Sequence, residues 1–125
     1  MYTEIIQGLS GTRLRKWEAF LSKAGLVPDS LVDKTVILWD GDEIAATGSI
    51  YNNILKLIAV DSFYQGEDLT STVISELRRD AFAQGYRSLF LYTKPQNEPI
   101  FSSLFFYPIA KTDNVLLMAY LLQLF

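Results

Sequence analysis

A chain of 125 residues, half of them hydrophobic and 14% aromatic, has material for one domain around one core. The net charge is only −3, and no Lys/Arg cluster is long enough for a nucleic-acid footprint. Cys and His are both absent, which excludes disulfides, thiolate metal sites, Cys nucleophiles and every Ser-His arrangement. The start, Met1-Tyr2-Thr3-Glu4, lacks the basic region of a signal peptide. The longest apolar run, Val115 to Phe125, is interrupted by Gln123 and is too short to span a bilayer. These features predict a cytoplasmic domain occupying residues 1–125, with no membrane and no nucleic-acid partner.

Tyr2 to Gln7 alternates weakly and predicts a first strand. Gly8-Leu9-Ser10-Gly11-Thr12 breaks it, and Ser10 or Thr12 can cap a helix beginning there. Leu14, Trp17, Phe20 and Leu21 recur at helical spacing, and Gly25 ends that helix. Arg13, Arg15 and Lys16 on its first turn read as a solvated face. Val27-Pro28-Asp29-Ser30 is a linker. Lys34 to Asp40 is β-branched and aromatic, Asp40-Gly41-Asp42 is a hairpin turn, and Ile44 to Tyr51 returns as its partner.

Next comes the stretch around which the chain is organised. Ile54-Leu55-Lys56-Leu57-Ile58-Ala59-Val60 is an apolar run suited to a strand buried on both faces. In plain alternation Lys56 shares a face with Ile54 and Ile58, as an edge or snorkelling lysine. From Leu69 the period changes, and Leu69, Val73, Ile74, Leu77, Ala81 and Phe82 form one helical stripe that Gln84-Gly85 stops. A loop that opens a helix in this way presents backbone N–H groups to an anion, most often phosphate. Ser88 to Thr93 is another buried strand, parallel to Ile54–Val60 through a right-handed crossover. A short helix runs from Pro95 to about Leu104, with Pro99 in its first turn. Tyr107 to Lys111, the turn Thr112-Asp113-Asn114 and Val115 to Tyr120 close the chain as a hairpin. About seven strands and three helices result, in an α/β (α+β mixed) arrangement: a mixed sheet flanked by helices.

The strand–loop–helix unit resembles motif A of the GNAT acetyltransferases, which reads Arg/Gln-x-x-Gly-x-Gly/Ala and cradles the pyrophosphate of acetyl-CoA. Here the window is Gln65-Gly66-Glu67-Asp68-Leu69-Thr70. Asp68 stands at the family's central Gly, and Thr70 at its Gly or Ala. Two readings of Asp68 stand side by side: a helix N-cap, or a carboxylate placed against an approaching pyrophosphate. GNAT enzymes also align the thioester beside a β-bulge on the fourth strand. The resemblance therefore implies a GNAT-like fold. It also implies a site for acetyl-CoA or a CoA-like group made by Ile58, Val60, Gln65, Gly66, Glu67, Asp68, Leu69 and Thr70. Lys94, where the family often has Asn, is either a point charge for a phosphate or a solvated residue.

A second resemblance is narrower. Ala46 to Ile50, Asn53 to Val60, Tyr64 to Glu67, and above all Phe90-Leu91-Tyr92-Thr93-Lys94-Pro95 followed by Phe101, resemble the N-terminal GNAT-like domain of citrate lyase ligases. That family acetylates the thiol of a phosphoribosyl-dephospho-CoA group on the acyl carrier subunit of citrate lyase, using acetate and ATP. Its ATP chemistry belongs to a His-rich C-terminal nucleotidyltransferase half. The 125 residues contain no such half, so the resemblance implies a cut piece or a short relative without the adenylating site. It names the acyl carrier and the missing half as partners, and no metal in this chain.

No catalytic residue is expected. Aligning Phe106 on the family's Gly-Phe puts Phe101 at the position of the usual acidic Tyr, and a Phe donates no proton. Phe105 then stands at the family's Gly. Phe101, Phe105, Phe106 and Tyr107 read as core, and Glu76/Arg79 as a surface helix pair. The tail Leu121-Leu122-Gln123-Leu124-Phe125 predicts packing on the missing half or on a partner chain, a homodimer included. Three functions are thus carried forward: a ligase domain recognising a CoA-like group, a stand-alone acetyltransferase, and a non-catalytic dimerisation module.

Overall fold

The computed structural model describes residues 1–64 and 68–122. Its elements in order are β1 (Tyr2–Ile6), α1 (Gly11–Lys23), β2 (Lys34–Asp40), β3 (Glu43–Tyr51), β4 (Ile54–Val60), α2 (Leu69–Ala83), β5 (Ser88–Thr93), α3 (Glu98–Ser102), β6 (Tyr107–Lys111) and β7 (Leu116–Leu121). Short 3₁₀ turns, Ser62–Tyr64 and Pro95–Asn97, follow β4 and β5. The strands form one sheet in the order β1-β2-β3-β4-β5-β7-β6. Neighbours are antiparallel except β4 and β5, which are parallel. This is the predicted mixed sheet, with the last strand inserted between β5 and β6. No helix among the described residues is long and apolar enough to cross a membrane.

Each face of the sheet carries one helix and one cluster. The predicted stripe of α2 buries Val73, Ile74, Leu77 and Ala81 against Val36, Leu38, Ala46, Ile50 and Leu55, and this cluster runs on to Leu89, Leu91, Phe101, Phe106 and Met118. On the other face, Trp17 and Leu21 of α1 pack on Ile37, Trp39, Ile44 and Ala59. The Trp17 indole N–H donates to the Thr47 hydroxyl at 3.1 Å, which donates to the Val36 carbonyl at 2.8 Å. The buried Thr47 is thereby satisfied, removing the penalty of an orphan polar group. Gly85 ends α2 at φ +98, with Tyr86 N–H returning to the Ala81 carbonyl at 3.1 Å. A left-handed residue there lets the last carbonyls be capped, and Gly adopts it without strain.

Four details differ from expectation. First, β4 is not buried on both faces. Only Leu55 and Ala59 are buried, because β5 pairs with β4 solely at Ile54↔Phe90 and Leu55↔Leu91. Second, β4 does not alternate plainly. Thr47 pairs with Ala59 but Ser49 with Lys56, so two β4 residues oppose Gly48, and Leu57 takes φ +55. This bulge resets the side-chain phase. Leu57 and Ala59 then face α1, while Leu55, Ile58 and Val60 face α2. Lys56 therefore does not share a face with Ile58. Third, Phe101 and Phe106 are core, but Phe105 and Tyr107 are exposed. Phe105 also has φ +72, a conformation costly for a residue with a Cβ. That is the conformation a Gly, the residue the resemblance puts at this position, would hold without strain. Fourth, Ser10 and Asp68 occupy N-cap positions without making a side-chain cap bond. On the surface, Arg13 pairs with Glu4 at 2.7 Å and Arg79 with Glu76 at 3.1 Å as expected of a helix pair, while Lys16 donates to the Asp42 carbonyl at 2.8 Å. Of the tail, Leu121 is half exposed, and Gln123 to Phe125 lie outside the described residues.

Candidate functional site

Two parallel strands that pair at only two positions must part beyond them. Past Leu55 and Leu91, β4 and β5 have no ladder between them. That edge of β4 carries no ladder partner from β5, and a ligand with amides can bond to such an edge as a strand does. The bulge at Leu57 turns the β4 side chains at this place, so Leu57 and Ala59 line one side of the gap while Ile58 and Val60 line the other.

A cavity of about 440 Å³ opens on the α1 side, with walls from Leu26, Leu57, Tyr92, Lys94, Asn97 and Asn114 among others. A second, of about 650 Å³, opens on the α2 side, walled by Tyr64, Asp68, Leu69, Thr70, Ile100 and Ser103 among others. Ile58, Ala59, Val60, Asn97 and Phe101 line both. Sharing this wall, the two make up the two sides of one groove at the gap in the sheet. Its waist is mostly apolar and its ends are polar, the usual composition of a ligand site.

The expected site residues divide along this groove. Ile58 and Val60 form its waist. Leu69 and Thr70 open α2 at one end, where first-turn N–H groups have no acceptor within the helix. Asp68 stands there too, exposed, at φ +59 and ψ +32. Lys94 lies at the other end, on the α1 side, and is exposed. Gln65, Gly66 and Glu67 lie outside the described residues. The sequence reading missed Tyr92, Asn97 and Asn114. Tyr92 and Asn97 lie at and just past the end of β5 and Asn114 in the distant β6–β7 turn, and the rule that sites form at the carboxyl ends of parallel strands is the signal that could have found them.

Phe101, at the position of the expected acid, is 6% exposed and packs edge-on to Phe106. Asn97 donates to the Thr93 hydroxyl at 3.0 Å, tying the segment before α3 to the end of β5. Lys56 is held at the groove by Asp29 and by the Leu31 carbonyl at 3.0 Å. The linker is thereby strapped to β4. The Lys56 hydrogen bond, then the Leu31 N–H at 2.7 Å, hold the Asp29 carboxyl below its ordinary 3.8. A carboxyl depressed on folding stabilises above its unfolded pKa, and that stabilisation is lost as pH falls through the folded value. The melting temperature of the native chain should therefore fall more steeply than that of Asp29→Asn below about pH 4. Parallel acid titrations of the two melting curves would show no strap if the slopes coincide.

A mixed seven-stranded sheet, splayed at its one parallel pair and covered by a helix on each face, is the GNAT, or acyl-CoA N-acyltransferase, fold. Escherichia coli ElaA superposes with a TM-score of 0.85 at 16% identity, over 96% of this chain and 99% of that one. An acyl-CoA N-acyltransferase from Pseudomonas aeruginosa superposes at 0.82 with 10% identity, over 95% and 98%. In sequence the chain is related to the citrate lyase ligases. It is 35% identical to [citrate [pro-3S]-lyase] ligase of Klebsiella pneumoniae over 102 residues, 81% of this chain and 30% of that protein. It is 30% identical to that of Haemophilus influenzae, over 77% and 29%. The chain thus spans about 30% of the length of the curated relatives it matches. No family model matches it.

Proposed function

We propose that this chain acts as the GNAT-like part of a citrate lyase ligase and binds a CoA-like group in the groove between β4 and β5. In that setting the group is the phosphoribosyl-dephospho-CoA arm of the acyl carrier subunit. The observation that carries the reading is the groove at the gap in the sheet, in a chain whose sequence relatives are ligases of citrate lyase. The residues present suit a thin amide-bearing arm. Ile58, Val60 and Phe101 offer apolar contact at the waist, and the open edge of β4 offers partners to the arm's amides. The N–H groups at Leu69 and Thr70 suit phosphate, against which Asp68 works. Bound there, such a group supplies a thiol to carry the acyl unit. Phe101 contributes shape and water exclusion but no proton. Acyl transfer to an amine is the lesser reading for that reason, and thiol release from acetyl-CoA over a panel of amines is the assay that would promote it. Calorimetry with CoA, dephospho-CoA and the loaded carrier tests the main reading. Binding of at least one is expected, and no heat from any of the three ends it.

A further inference from the structure

We propose that the α1-side mouth of the groove is an anion site that selects a carboxylate where the reacting end of the bound ligand arrives, in preference to a protonated amine. The inference rests on the groove reading above and names the chemistry of its second end. Among the described residues, the lining of this cavity contains Lys56 and Lys94 and no Asp or Glu. Lys56 is already committed to Asp29. Lys94 is not: it is exposed and makes no ion pair or side-chain hydrogen bond with any described residue. Around it the same walls bring Tyr92, Thr93, Asn97 and Asn114, so a hydroxyl or amide donor can join the ammonium on one carboxylate. Asp113, in the turn that bears Asn114, is not among the lining residues. The expected phosphate role of Lys94 fits less well. Lys94 lines the α1-side cavity alone, while Leu69 and Thr70 line the α2-side cavity alone. A ligand threaded through the waist with its phosphate at α2 brings its other end to Lys94. A cationic amine arriving there meets like charge without a carboxylate on the wall to offset it.

The carboxylate can belong to the acyl group of the thioester or to a separate acceptor, and two titrations distinguish these. In the first, acetyl-CoA and succinyl-CoA are titrated into the chain. In the second, the chain saturated with acetyl-CoA is titrated with succinate and with putrescine. We expect at least a fivefold preference for the carboxylate in one of the two series. We expect it to fall to about onefold in Lys94→Gln and to persist in Lys94→Arg, with melting curves confirming that both variants fold. CoA binding without a carboxylate preference in either series overturns this inference and leaves the groove reading intact. A preference that survives Lys94→Gln overturns it as well. Failure of every CoA derivative to bind overturns the groove reading and the inference together.

Discussion

Replacing Asp68 by Gly is expected to tighten CoA binding by roughly tenfold or more, a change of about 1.4 kcal/mol, while moving the melting temperature little. The affinity gain comes from charge. A carboxylate within a few ångströms of a pyrophosphate is repelled by on the order of 1–4 kcal/mol in partly screened surroundings. The small stability change is a near-cancellation. Asp68 holds a left-handed backbone at φ +59 and makes no side-chain cap bond. Its removal relieves up to about 1–2 kcal/mol of strain, less for Asp than for most residues. Against this, Gly adds about 0.5–1 kcal/mol of chain entropy to the unfolded state. Asp68→Asn separates the terms, because it removes the charge and keeps the Cβ, so it should recover most of the affinity gain. The gain should shrink as salt rises. If both variants bind CoA as the native chain does, the start of α2 is not a pyrophosphate site.

Gly48→Ala is expected to destabilise the fold by about 1–3 kcal/mol, the usual range for an overpacked core. For a chain of this size that is a fall of roughly 3–15 °C in melting temperature. A Cβ built at Gly48 would lie 2.4 Å from Cγ1 of Val73, 3.1 Å from Cδ1 of Leu77 and 3.4 Å from Cγ1 of Ile58. The first distance cannot be tolerated. Val73 is β-branched within α2, where one rotamer dominates, so its methyl cannot swing aside cheaply. The helix must move off the sheet, or the β4 bulge opposite Gly48 must flatten. Either change reaches Ile58 and the waist of the groove, so CoA affinity should fall with stability. Thermal melting with calorimetry on the same sample is the check. An unchanged melting temperature would mean that α2 does not pack as closely on Gly48 as described.

Element order was legible in the residues because it rests on local signals. The stripe from Leu69 to Phe82 has one period and the run from Ile54 to Val60 another. Asp40-Gly41-Asp42 and Gln84-Gly85 mark where the chain turns. The parallel pairing of β4 with β5 follows from the helical crossover that joins them, and both resemblances lay in contiguous strings such as Phe90 to Pro95. Asp68 and Phe105 were visible as departures from a glycine pattern, although only the backbone at φ +59 and φ +72 shows what the glycine would have done there.

The groove itself was not legible. Its walls come from β4, β5, the segment before α3 and the β6–β7 turn, and no local period relates those residues. Two events of tertiary pairing create it: the parting of β4 from β5 after two matched positions, and the bulge that sets Lys56 and Ile58 on opposite faces. A bulge is decided by how a strand registers against its neighbour, and here it lies opposite Gly48, where α2 leaves no room for a Cβ. The sequence by itself determined the strands, the helices, their order and the family likeness, because each is written in neighbouring residues. Which side chains meet across the sheet, and so the division of the groove into an Asp68 end and a Lys94 end, was decided only when distant segments packed together.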